Sequence, residues 1–331
     1  MLASLKALVR TESGFNFMKQ SVALSWIGLC AFAAVLQFSP IARAGELSRV
    51  VAWGDISYDL TNDVAHGGKP VAGIAAGDFH SLALQRNGAV VAWGDDRFGQ
   101  SELPTSLSGS SAVKIAAGNV HNLALLGNGS VIAWGGTSDV YGSYGQDAVP
   151  AGLKKVKAIS AGAVHSLALQ RDGTVAAWGF NTYGQCDVPT NLNSVVAIAG
   201  GMYHSLALKR DGTVVAWGGD AHGESTVPAG LKRVVAIAAG GFHNLALKAD
   251  GSVVAWGSYG LVPCEVPPGL SNVVAIATGD YHSVALKRDG TIVAWGLNGA
   301  GQCDVPAGLK NVKAISARGS HTMVLLKVKG N

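Results

Sequence analysis

Along most of the chain, large apolar residues alternate with small or polar ones, and the alternation itself recurs. Residues 282–296 read HSVALKRDGTIVAWG, two such runs separated by Asp289-Gly290. A period of two marks a half-buried β-strand. Asn-Gly or Asp-Gly between two such runs predicts a hairpin, because these residues accept the positive φ angles of a type I′ turn, which matches strand twist. The dipeptide returns at Asn87-Gly88, Asn128-Gly129, Asp172-Gly173, Asp211-Gly212 and Asp250-Gly251. An apolar run, VVAIAAG or a variant of it, precedes each hairpin and predicts a third strand.

The spacing is regular. An Ala-Trp-Gly tripeptide places Trp at 53, 93, 134, 178, 217, 256 and 295, and a His opens an apolar run at 80, 121, 165, 204, 243, 282 and 321. From each of the first six His to the next Trp the distance is 13 residues, whereas Trp to His varies from 26 to 31. Length variation is thus confined to one connecting segment, of the form GxNxxGQxxVPxGL, whose Gly and Pro suit a link between sheets. A small sheet repeated every 39 to 44 residues predicts an all-β, seven-bladed β-propeller. The repeat begins on a Trp strand, SRVVAWG, with no His strand before it and ends on a His strand with no Trp strand after it. Pairing the N-terminal strand with the last blade would close the ring and remove both edges.

Composition agrees with this and narrows it. The 331 residues are 48% hydrophobic and 14% charged, with 45 glycines and ten prolines, material for a large core and many turns. Residues 1–44 read as an address: Lys19, an apolar run over 22–38, then Pro40 and the small-x-small exit Ala42, Ala44. We expect a signal peptide, or otherwise an N-terminal anchor, followed by the propeller over 45–331; translation starting at Met18 would give a signal of more ordinary length. The expected location is secreted or periplasmic. That segment holds four of the 25 basic residues and one of the 21 acidic ones, which leaves the remainder at net +1. No basic patch of the size nucleic-acid binding needs remains, and no membrane contact is expected beyond the leader.

The remaining cysteines, Cys186, Cys264 and Cys303, occupy one repeat position, QCDVP twice and PCEVP once. They have neither disulfide-framework nor zinc spacing, and a structural role is expected. A residue required in every blade answers a need that every blade has. Trp53, Trp93, Trp134, Trp178, Trp217, Trp256 and Trp295 are therefore expected to fill the space between sheets. His80, His121, His165, His204, His243, His282 and His321 are expected to hydrogen-bond nearby backbone where their strands begin. GxSxG, HExxH, GxGxxG and Walker loops are missing, and adjacent His-Ser pairs on a strand point to opposite faces. Neither a catalytic nor a metal site is predicted, and no cofactor.

The GxxHSLALKxDGTVVAWGxNxxGQxxVP unit resembles the regulator of chromosome condensation repeat, and the resemblance runs over 50–331. It implies the same propeller fold. The nuclear branch of that family acts as an exchange factor on a small GTPase and binds chromatin, using an inserted wedge and a basic surface. This chain has no insertion of wedge length, which sets exchange aside as an expectation. Its short units and its AWG and VP punctuation are similar to those of the secreted propellers that inhibit β-lactamases. In those, aromatic residues of two loop types form a contact face: the two positions between Gly and His, and the loop after AWG. The corresponding positions here are Asp78, Phe79, Met202, Tyr203, Phe242, Asp280 and Tyr281, with Phe98, Tyr144, Tyr183, His222 and Tyr259.

Two function classes stay open. One is a monomeric, non-enzymatic scaffold that binds a protein, such as an extracytoplasmic enzyme. The other is a propeller that binds or hydrolyses carbohydrate or peptide in its central channel, for which carboxylates converging on that channel would speak.

Overall fold

The computed structural model describes residues 47–55, 57, 69–136, 144–257 and 265–328. The leader, Tyr259 and Cys264 lie outside them. Seven three-stranded antiparallel sheets form, each with an inner, a middle and an outer strand. Blades 1 to 6 span residues 71–94, 112–135, 156–179, 195–218, 234–256 and 273–296. In blade 4, for example, Val195–Gly200 is inner, His204–Lys209 middle and Val214–Gly218 outer. Blade 7 is composite: Val312–Arg318 and His321–Val328 come from the C-terminal end of the repeat, and Leu47–Gly54 supplies the outer strand. That strand pairs antiparallel with the middle strand from Leu47 opposite Val328 to Gly54 opposite His321.

Period two decides the packing between blades. In blade 4, Leu206 and Leu208 turn one way, onto Ile237, Ala246 and Trp256 of blade 5. Ala207 of the same strand turns the other way, and with Ile198 and Trp217 it packs against Leu167 and Leu169 of blade 3. The five interfaces among blades 1 to 6 are each two leucines against a tryptophan and an isoleucine, with alanine between them. The composite blade is sealed by the same means: Trp53 packs on Val284 and Leu286 of blade 6, and Met323 and Leu325 pack on Val71 and Ala83 of blade 1. Ring closure rests on burial and main-chain bonds.

The seven inner strands surround a central cavity of about 490 Å³, lined mainly by Ala, Gly, Ser and Ile. At one end of the ring lie the hairpin turns. They differ from the predicted type I′: Gly212 has φ +81°, and Asp211 is not among the residues with positive φ. Gly212 N–H donates to Lys209 O, and Lys209 N–H to Thr213 O, which encloses the three-residue loop 210–212. This is the type I turn followed by a left-handed glycine, the other common hairpin closure. The Asp211 carboxylate is then free to accept from the Thr213 main-chain N–H at 3.0 Å.

Candidate protein-binding face

The antiparallel order brings both variable loop types to the other end of the ring. The residue before each His is tied to the residue after Trp-Gly: Asp95 N–H donates to Phe79 O (2.8 Å), Phe180 N–H to Val164 O (2.9 Å), Gly219 N–H to Tyr203 O (2.7 Å) and Leu297 N–H to Tyr281 O (2.9 Å).

Beneath these loops runs a belt of buried histidines. His80 Nε2 meets Asn122 Oδ1 at 2.6 Å, His121 meets Ser166 Oγ at 3.0 Å, His165 meets Ser205 Oγ at 3.0 Å and His204 meets Asn244 Oδ1 at 2.7 Å. The series continues from His243 to Ser283 Oγ (2.9 Å) and from His282 to Thr322 Oγ1 (2.8 Å), and it closes from His321 to Ser81 Oγ (3.2 Å). Each partner is the residue after the His of the next blade, a side chain across the interface rather than the expected backbone group. The reason is depth: the His ring lies over the glycine three residues earlier, where a Cβ on Gly201 would come within 2.1 Å of His204 Cε1, and so it points out of its own blade.

The partners in turn donate onward. Ser205 Oγ–H and the Trp217 indole N–H both bond Gln185 O, at 2.9 and 3.0 Å, and Asn244 and Trp256 do the same to Glu224 O. A partner that donates to a carbonyl must accept from His, so Nε2 carries a proton. Burial lowers the imidazole pKa values, to about 4 for His80, His243 and His321 and to about 3 for His121, His165 and His282. The side chain of the residue that offers this carbonyl orders its own loop, as Gln185 Oε1 accepts from Tyr183 N–H at 3.1 Å. Each aromatic loop is thereby anchored to the next blade through one glutamine or glutamate.

On this support the aromatic residues form two groups. Tyr144 meets Phe180 edge-on, with ring centroids 4.6 Å apart, and Tyr183 meets Tyr203 at 4.9 Å; Phe180 lies 6.0 Å from Tyr183 and 5.9 Å from Tyr203. Tyr144 is 46% and Tyr183 54% exposed. The second group is His222 edge-on to Phe242 at 5.2 Å, with Phe242 stacked on Tyr281 at 5.8 Å. Phe98 carries the Arg97 guanidinium 5.7 Å from its ring centroid, and Phe79 and Met202, in the Gly-x-x-His loops of blades 1 and 4, are half-buried. Phe180, the hub of the first group, was missing from the sequence reading. Its position directly after Trp-Gly is the same in each copy, and among those copies only this one carries an aromatic.

The two acidic positions leave the face. Asp280 is only 8% exposed, and Asp78 is half-buried beside it at the channel end, with Asn119 and Arg318. Arg318 stands where the other six described copies have the glycine of Gly-x-x-His.

Residues 71–100, 112–146, 156–185, 195–224, 234–258 and 273–302 match the model of the regulator of chromosome condensation (RCC1) repeat. No curated protein matches the chain. Among solved structures, the chain is similar to Prp20p of Saccharomyces cerevisiae, described with its binding properties to Gsp1p and histones, at 20% identity and TM-score 0.70 over 88% of this chain and 96% of that one. Yeast Prp20 bound to Kap60 aligns at 20% identity and TM-score 0.74, over 99% and 96%. Human WBSCR16 aligns at 18% and 0.66, over 86% and 99%.

Proposed function

The chain belongs to the family of regulator of chromosome condensation repeats, and on that premise we propose that it is a rigid ring which binds a protein partner through the aromatic loops at one end. The observation that carries this is the Tyr144, Phe180, Tyr183 and Tyr203 cluster, half of it exposed, on loops each fastened to the neighbouring blade. Tyrosine and phenylalanine offer large contact area at small entropic cost, and a few such anchors hold most of an interface's energy. The partners of the yeast Prp20 structures, Gsp1p, histones and Kap60, support a protein rather than a small molecule as the object.

The finer reading is an exported chain acting on an extracytoplasmic enzyme, with β-lactamases as the first candidates. The expectation that set nucleotide exchange aside is not kept, because the chromosome-condensation regulators are among the chain's structural neighbours. A second reading, carbohydrate or peptide bound in the channel, draws on the carboxylates at the channel end.

The test is capture from the producing organism's envelope and medium, with purified β-lactamases alongside. The parent chain is set beside a Tyr144, Tyr183 and Tyr203 to Ala variant of unchanged thermal stability. A partner held by the parent alone supports the face; equal capture by both chains overturns it.

A further inference from the structure

At the loop end of the channel, one oxygen of a buried carboxylate, Asp280 Oδ1, lacks the hydrogen bond that a buried anion needs. Asp78 of blade 1, Asn119 of blade 2, Asp280 of blade 6 and Arg318 of blade 7 meet there, and Arg318 lines the cavity. The Arg318 guanidinium is committed elsewhere: Nε and Nη2 both donate to Asn119 Oδ1, at 3.2 and 3.0 Å. Its Nε stands 3.8 Å from Asp280 Oδ1, beyond hydrogen-bond reach. Asp280 Oδ1 accordingly has no hydrogen-bond partner among the described residues, on a residue more than nine-tenths buried.

The space between the two carboxylates is kept open by Gly319. Its carbonyl accepts from Asp280 N–H at 3.1 Å, while a Cβ on it would lie 2.2 Å from Asp78 Oδ1. Gly241, on the far side of Asp280, likewise carries no side chain. Burial, then Asp280 and more weakly Asp55, push the Asp78 carboxyl up to about 7 against the opposing Arg318 charge; burial raises Asp280 as well.

The unmet need selects the ligand. An anion is repelled by the carboxylates, and a hydroxyl brings a donor without charge. Among the described residues no group of three or more acidic, His or Cys side chains could hold a metal ion. A cationic N–H donor meets both needs at once, since a charge-assisted bond to a desolvated carboxylate is the strongest kind available.

We propose that this channel mouth receives one basic side chain, lysine or arginine, from the protein bound at the aromatic face, seated between Asp78 and Asp280. The seat rests on the protein-binding reading and gives the partner a chemical feature: one exposed basic residue standing out of a surface that meets tyrosines. Arg318 holds the empty seat together, and the incoming cation supplies the donors that Asn119 keeps from Asp280.

The experiment is an NMR titration of aspartate carboxyls in the purified chain, in saturating butylguanidinium chloride and in sodium chloride of equal ionic strength. The cation is expected to lower the Asp78 midpoint by about one unit, as an opposite charge at contact does. The Asp280→Asn variant is expected to bind the probe about tenfold more weakly, the equivalent of one lost charge-assisted bond. Equal midpoints in the two salts overturn the proposal without recourse to any variant, and so does undiminished binding by Asp280→Asn. The probe is read on the chain alone, so a negative result removes the seat while the capture experiment still decides the face.

Discussion

At the turn end of the ring the hairpins close alike: a left-handed glycine at 88, 129, 173, 212, 251 and 290, preceded by an Asn or Asp whose side chain accepts from the main-chain N–H two residues on. At the loop end the positions between Gly and His run Asp-Phe, Asn-Val, Ala-Val, Met-Tyr, Gly-Phe and Asp-Tyr in blades 1 to 6, and no two are the same. Hydrogen bonds hold the described residues of both ends. The turn end is held by local bonds and the loop end by the histidine belt, so the diversity at the loop end is not slackness. A scaffold that holds the described loops through Gln or Glu and the Ser, Asn or Thr that follows His leaves the loop tips free to differ. What differs there is surface and charge, the properties that choose a partner.

The largest effect that would break this contrast is acid. Burial lowers the pKa values of all seven belt histidines from the ordinary 6.5, to about 3 or 4 in six of them, which keeps those neutral in the fold. The unfolded chain therefore takes up more protons once the pH drops below about 6.5. Stability from this source is complete above that pH and is lost as pH falls toward 3 to 4, so urea midpoints should drop steeply over that window. A flat profile would mean that the belt does not support the loop end.

Next in size is Trp217→Ala, which empties the space over Leu167 and Leu169 and removes one of the two side-chain hydrogen bonds to Gln185 O. It should cost about 3–5 kcal/mol in chemical denaturation. Arg318→Gly follows. It writes into blade 7 the glycine of the other copies, yet leaves Asp280 and Asp78 without their cation, and about 3 kcal/mol should be lost at pH 8. Asp78 has a folded pKa of about 7, above its unfolded 3.8, so it favours the fold below 3.8 and ceases to as pH rises through 7. The Arg318→Gly penalty should accordingly shrink at pH 5.

Tyr183→Ala should weaken partner binding by about 2 kcal/mol in calorimetry while leaving the melting temperature almost unchanged, because the ring is more than half exposed. The smallest effect belongs to the turn end. Gly212→Ala forces a side chain into φ +81° and should cost about 1 kcal/mol of stability with no change in binding. A Gly212→Ala variant that loses its partner would show that both ends engage it.

Strands, blade number and closure could be read from the chain because each depends on local information. A two-residue period makes a strand, Asp-Gly makes a turn, and SRVVAWG at one end of the repeat complements HTMVLL at the other. Trp217 could be assigned to the core in the same way. The turn type was misjudged because the φ of Asp211 follows from the closing pair Lys209 and Thr213, which the dipeptide does not reveal. The belt escaped notice because six of the His bond a residue 40 to 45 positions away and His321 bonds one 240 away, always in the next blade. Asp78 and Asp280 look like loop residues of an open face until the ring turns them onto the channel end. There Arg318 reaches Asn119, 199 residues distant, across a closure made by packing and by the pairing of the first strand with the last. Hydrophobic periodicity is written residue by residue, whereas the field at the channel mouth is a sum over blades that meet only when the circle is complete.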